Sequence, residues 1–146
     1  MAIGKYTNVC GGVDTVRPLS NAYKMGCDIP SKLPEYNVFM ESLLISGLFK
    51  TPVSFFLEMK YKYKCDVEIC FLYTSERESL RRVFLRNGGT PIKASKVCEK
   101  LKRTINNFKK IKATGEFRCL SIDTTKLTKE QVFERFYEWS SLYEKR

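Results

Sequence analysis

Histidine is missing altogether from this chain. Its absence removes the usual general base near neutral pH, histidine-based triads, and most zinc and iron sites. Long apolar runs are missing as well. The longest candidate, residues 38–49, is broken by Glu41 and Ser42, whereas a bilayer span needs roughly 18–20 apolar residues, so no membrane association is expected. The first 25 residues are polar and glycine-punctuated rather than leader-like, which points to a cytoplasmic protein. Among the six cysteines (Cys10, Cys27, Cys65, Cys70, Cys98 and Cys119) there is no Cys-x-x-Cys. With no histidine to join them they read as reduced thiols, and no metal site is expected. Cys70 and Cys119 lie inside apolar strand-like runs and read as small core residues. Internal repeats, low-complexity tracts and long linkers are absent too.

What is there is one domain's worth of chain, 146 residues, of which 43% are hydrophobic and 13% aromatic. That is enough apolar material for a real core. The net charge is +10, and it is segregated: residues 81–112 hold eleven Lys or Arg and a single acid, Glu99. The rest of the chain is balanced. A neutral domain carrying one basic arm favours a polyanionic partner, and phosphate on a nucleotide or along a nucleic acid is the obvious candidate.

Local patterns divide the chain into alternating elements. Residues 1–9 and 36–40 read as strands, and a short helix over 19–25 is followed by a loop. Pro52 suits the first turn of a helix running to about residue 62. The β-branched and aromatic run at 66–73 is the best strand in the chain and reads as central in a sheet. Ser75-Glu76-Arg77-Glu78 is a capping-box pattern opening a helix to about residue 86, which Asn87-Gly88-Gly89-Thr90-Pro91 stops. A long helix over about 92–114 follows. Val97, Leu101, Ile105 and Phe108 form its apolar stripe, Lys93, Lys96, Lys100 and Arg103 a basic flank, and Gly115 its end. Residues 117–123 read as another strand. Thr128-Lys129-Glu130-Gln131 opens a last helix to about residue 144, with Val132, Phe136, Trp139 and Tyr143 as its core stripe. Strands separated by helices predict a single α/β domain over residues 1–146, built on a mostly parallel sheet flanked by helices.

In such sheets ligands sit beyond the carboxyl ends of the strands, and three of these ends carry suggestive residues. After the first come Gly11 and Gly12, which permit close backbone approach to an anion, and Asp14, which offers a carboxylate. After the second comes Glu41, placed to act as a base or to hold a magnesium-bound water. Beyond the third lie Arg82 and Arg86, four residues apart on one helix face and able to clamp a phosphate. The nucleic-acid contacts would fall on Lys93, Lys96, Lys100 and Arg103.

These residues also carry a resemblance. Tyr6-Thr7-Asn8-Val9-Cys10-Gly11-Gly12-Val13-Asp14-Thr15 resembles the segment that follows the phosphate-binding loop in phage-encoded nucleotide kinases of the P-loop class. Asn37-Val38-Phe39-Met40-Glu41-Ser42-Leu43-Leu44-Ile45-Ser46 resembles that family's next strand, which usually ends in Phe-Glu-Gly-Leu-Leu. Phe71-Leu72-Tyr73-Thr74, and then Arg86-Asn87-Gly88-Gly89 within 82–91, resemble a further strand and an arginine-bearing lid, so that 81–112 becomes a lid-like helical segment. The group includes or lies close to kinases acting on 5-hydroxymethyluracil in phage DNA. The resemblance implies a P-loop-kinase-like fold and Mg-ATP as cofactor, with Asp14 and Glu41 on the substrate side and Arg82 and Arg86 on the lid side.

The departures bear on activity. No G-x-x-x-x-G-K-[ST] occurs, the family glycine after the strand-end acid is Ser42 here, and 19–35 is proline-interrupted where the family has a helix. In the family a strand and the glycine loop precede the first matching segment. Phosphoryl transfer depends on the electrostatic support of that loop and its lysine. The expectation is therefore a reduced or degenerate kinase-like phage protein that binds nucleotide or nucleic acid and is not a complete kinase by itself. The alternative is a non-catalytic phage module or inhibitor whose basic arm meets nucleic acid or an acidic host protein. Apolar surface left by a lost first strand would favour a homodimer.

Overall fold

A computed structural model describes residues 19–32, 38, 40 and 50–140. They form five helices and one two-stranded parallel sheet, a mixed α/β arrangement. The chain divides into two compact units, Met1–Val67 and Glu68–Arg146.

In the first unit, α1 spans Leu19–Lys32 and α2 spans Lys50–Tyr61. Pro52 falls in the first turn of α2, where its missing N–H costs nothing. It is fully buried, and Phe55 and Met59 follow it on the same helix face at 6% and 7% exposure. The rings of Tyr23 and Phe55 lie 4.7 Å apart and join the two helices. Between them Gly26 has no room for a side chain, since a Cβ there would stand 2.7 Å from Phe55 Cζ. This packing corrects the expected short helix over 19–25. The helix continues through Gly26 and Pro30 to Lys32. Pro30 has no N–H for the carbonyl four residues back, so the helix runs on without that bond. The strands expected at 1–9 and 36–40 lie outside the described residues, apart from Val38 and Met40.

In the second unit, β1 (Glu68–Tyr73) pairs in parallel with β2 (Arg118–Asp123), in register from Glu68 opposite Arg118 to Tyr73 opposite Asp123. Parallel neighbours need a long crossover. Here it consists of α3 (Glu76–Arg86) and α4 (Ala94–Ala113), and α5 (Lys129–Trp139) follows β2. Side chains alternate across a strand, which puts Phe71 on one face and Glu68 on the other. Phe71 stacks on Phe108 of α4 with ring centroids 4.9 Å apart. On the opposite face, Arg118 binds Glu68 at 2.7 Å and lies over the Trp139 ring of α5 at 5.2 Å. Helices therefore meet both faces of the strand pair. The core gathers Phe108, Ile111, Phe117 and Ile122, the last only 3% exposed. Among the described residues β1 pairs with β2 alone.

Several boundaries differ from the sequence reading. In α4 the buried positions are Thr104, Asn107, Phe108 and Ile111. Val97, Leu101 and Ile105 are only half-buried, so the helix is anchored by its carboxyl-terminal half. Its first residue is Ala94 because Pro91 and the two residues after it stay irregular. Gly88, Gly89 and Gly115 adopt φ of +64°, +78° and +68°, as turn and helix-stop glycines should. Helix α5 ends at Trp139, short of residue 144, because Ser140 takes extended backbone and is buried, its Oγ donating to the Tyr137 carbonyl at 3.0 Å. Tyr143 lies outside the described residues.

Candidate anion-binding surface

Because β1 and β2 run parallel, their carboxyl ends share one edge, and a network of short side chains closes it. The Thr124 N–H and Oγ1 both donate to the Tyr73 carbonyl, at 2.8 and 2.9 Å. Thr125 Oγ1 lies 3.2 Å from Thr74 Oγ1 and accepts from the Ser75 N–H at 3.0 Å. The Thr125 N–H donates to Asp123 Oδ1 at 2.9 Å. The Thr125 hydroxyl also donates to that carboxylate, and these bonds hold the Asp123 carboxyl below its ordinary pKa.

Helix α3 starts at this edge. Ser75 is its N-cap, its Oγ accepting from the Glu78 N–H at 3.3 Å. The return half of the expected capping box is replaced, since the Ser75 N–H goes to Thr125 and the Glu78 carboxylate turns to two arginines. Arg81 grips it through Nε and Nη2, both at 2.7 Å, and Arg82 Nε adds a bond at 2.8 Å. These bonds pull the Glu78 pKa down from 4.5 to about 2. Arg82 then reaches across to β2, donating from Nη2 to the Thr124 carbonyl at 2.7 Å and from Nη1 to Thr124 Oγ1 at 3.1 Å.

Arg82 and Arg86 share α3, but their surroundings differ. Arg82 is engaged by Glu78 and Thr124, whereas Arg86 sits exposed in the last turn, where a cation complements the helix dipole. Across the Asn87–Pro91 turn, Lys93 is the N-cap position of α4, and Lys96, Lys100 and Arg103 follow along one flank, all exposed. Arg103 is paired with Glu99 at 2.8 Å. Arg86, Lys93, Lys96 and Lys100 have no acidic partner among the described residues. No residue of α4 before Thr104 is buried, so this row lies on the half of the helix that the core does not hold.

Gly11, Gly12, Asp14 and Glu41 lie outside the described residues. From sequence Glu78 has a capping role alone, and Thr124 and Thr125 are not among the expected site residues. The sequence carries a signal for them, because Asp123-Thr124-Thr125 stands at the carboxyl end of a fourth expected strand. Among the described residues no group of three or more Cys, Asp or Glu side chains could hold a metal ion, and no helix is long and apolar enough to cross a membrane. Compared with protein-family models, curated proteins and solved structures, the chain matches none.

Proposed function

We propose that this chain is a reduced, P-loop-kinase-like protein that binds phosphate-bearing polyanions, nucleic acid foremost, through the basic flank at the start of α4. The observation that carries the reading is the exposed row of Lys93, Lys96 and Lys100, unneutralised by any described acid and lying next to Arg86 in sequence across a short turn. Cations held this close repel one another, and a phosphate backbone relieves that repulsion while releasing counterions. The parallel β1–α3–α4–β2 crossover supports the kinase-like part of the reading. The engagement of Arg82 by Glu78 and Thr124 weighs against a free two-arginine clamp and shifts the phosphate contacts toward α4. Binding, rather than phosphoryl transfer, is the role assigned.

The test is the salt dependence of binding to a labelled DNA duplex. Replacing Lys93, Lys96 and Lys100 together by Gln should flatten the slope of log affinity against log salt by about 2–3, close to 0.9 per lost phosphate contact. A slope and affinity that survive the triple substitution would overturn the reading. Calorimetric titration with Mg-ATP separates nucleotide from nucleic acid as the ligand.

A further inference from the structure

Resting on the reading above, we infer that the preferred ligand of this surface is a single nucleic-acid strand, with a base stacked on Phe84. The ring belongs to the last part of α3 and stays 42% exposed, with Leu85 beside it at 59%. The ring lies by the turn that ends the helix: a Cβ on Gly89 would stand 3.7 Å from Phe84 Cζ, and the Phe84 carbonyl accepts the Gly89 N–H at 3.0 Å. Phe84 thus has an open side next to the turn that leads to α4. No acid occurs between Glu78 and Glu99 in the chain; Arg81 and Arg82 are taken up by Glu78, which leaves Arg86, Lys93 and Lys96 as the nearby cations in sequence without a described acidic partner.

A cationic track close in the chain to an exposed aromatic ring suits a single strand, the phosphates following the charges and a base stacking on the ring. A duplex hides its base faces and could use the charges alone. Two further rings are strongly exposed, Tyr61 at 55% and Phe133 at 63%, and Phe133, in the same unit as Phe84, provides the contrast. It stacks on Tyr137 at 5.8 Å and sits on a helix with three acids, Glu130, Glu134 and Glu138, against two cations, Lys129 and Arg135, so it lacks the one-signed surroundings in the chain that Phe84 has.

The experiment is fluorescence anisotropy with a labelled oligothymidine of about twelve nucleotides, run beside inorganic polyphosphate, which has the charge but no bases. Phe84→Leu keeps the apolar volume and removes the π face. It should weaken oligothymidine binding about five- to a hundred-fold and leave polyphosphate binding unchanged, and Phe133→Leu should change neither. Circular dichroism confirms that both variants fold. Oligouridine and oligodeoxyuridine, which differ only in the 2′-hydroxyl, run in parallel identify the sugar preferred, and a selective loss with any of these strands supports stacking. Equal or no loss in Phe84→Leu, with the lysine dependence intact, would overturn the stacking and leave the polyanion reading standing. If the wild-type chain binds neither oligothymidine nor polyphosphate at low salt, both fail.

Discussion

Arg82 Nη2 donates to the Thr124 carbonyl at 2.7 Å, tying the middle of α3 to the residue just past β2. Thr124 is buried at 8% exposure, so removing the guanidinium leaves an enclosed carbonyl short of a donor. Arg82→Ala should cost about 1–3 kcal/mol by denaturant unfolding. Arg82→Lys should recover only part of it, because an ammonium cannot fork to Glu78 and Thr124 together. Arg86→Ala should stay within about 0.5 kcal/mol, as expected of an exposed residue without such bonds. Equal effects at the two arginines would contradict the different surroundings described for them.

Glu78 gives the fold a defined acid sensitivity. Arg81 and Arg82 hold its carboxyl at about 2, below the ordinary 4.5. A lowered folded-state pKa means the unfolded chain binds the proton more readily as pH falls. The stability it contributes is therefore complete above the ordinary carboxylate range and is lost progressively as pH falls from 4.5 toward 2. Thermal unfolding of wild type and Glu78→Gln across this range should show a gap that is largest near neutrality and closes at the acid end. A gap independent of pH would mean the carboxylate is not held by the arginines.

The Phe71–Phe108 stack is the main aromatic contact between β1 and α4. Phe108 is 9% exposed on the anchored half of the helix. Phe108→Ala should destabilise the protein by about 3–5 kcal/mol, read from denaturant midpoints. Because Lys93, Lys96 and Lys100 lie on the other half, their replacement by Gln should barely move the same midpoint.

Burial pushes the Cys70 thiol up to about 11. Thiolate is the reactive form, so Cys70 should resist iodoacetamide at about pH 8 while the protein is folded and label readily in guanidinium. Peptide mass spectrometry reads the difference. Rapid labelling in native buffer would show that this face of β1 opens to solvent.

Features decided within a few residues were legible in the sequence. Thr128 and Gln131 exchange both capping-box bonds, as their spacing predicts. Gly115 takes the positive φ expected of a helix stop, and the strand–helix–helix–strand order from β1 to β2 follows from changes in hydrophobic period. The segregation of charge onto 81–112 is a property of composition alone. Other features depended on residues far apart in the chain. The Ser75-x-x-Glu78 motif reads as a full capping box, yet half of it is displaced by Thr125, 50 residues away. Arg82 and Arg86 share a helix face; the pairing of Arg82 with Glu78 four residues before it is local, but its bond to Thr124, 42 residues on, is not. Caps and turns answer to local backbone geometry, which neighbouring residues specify. Which side chain meets which carbonyl across a parallel pair answers to register and packing, which exist only once the strands are side by side.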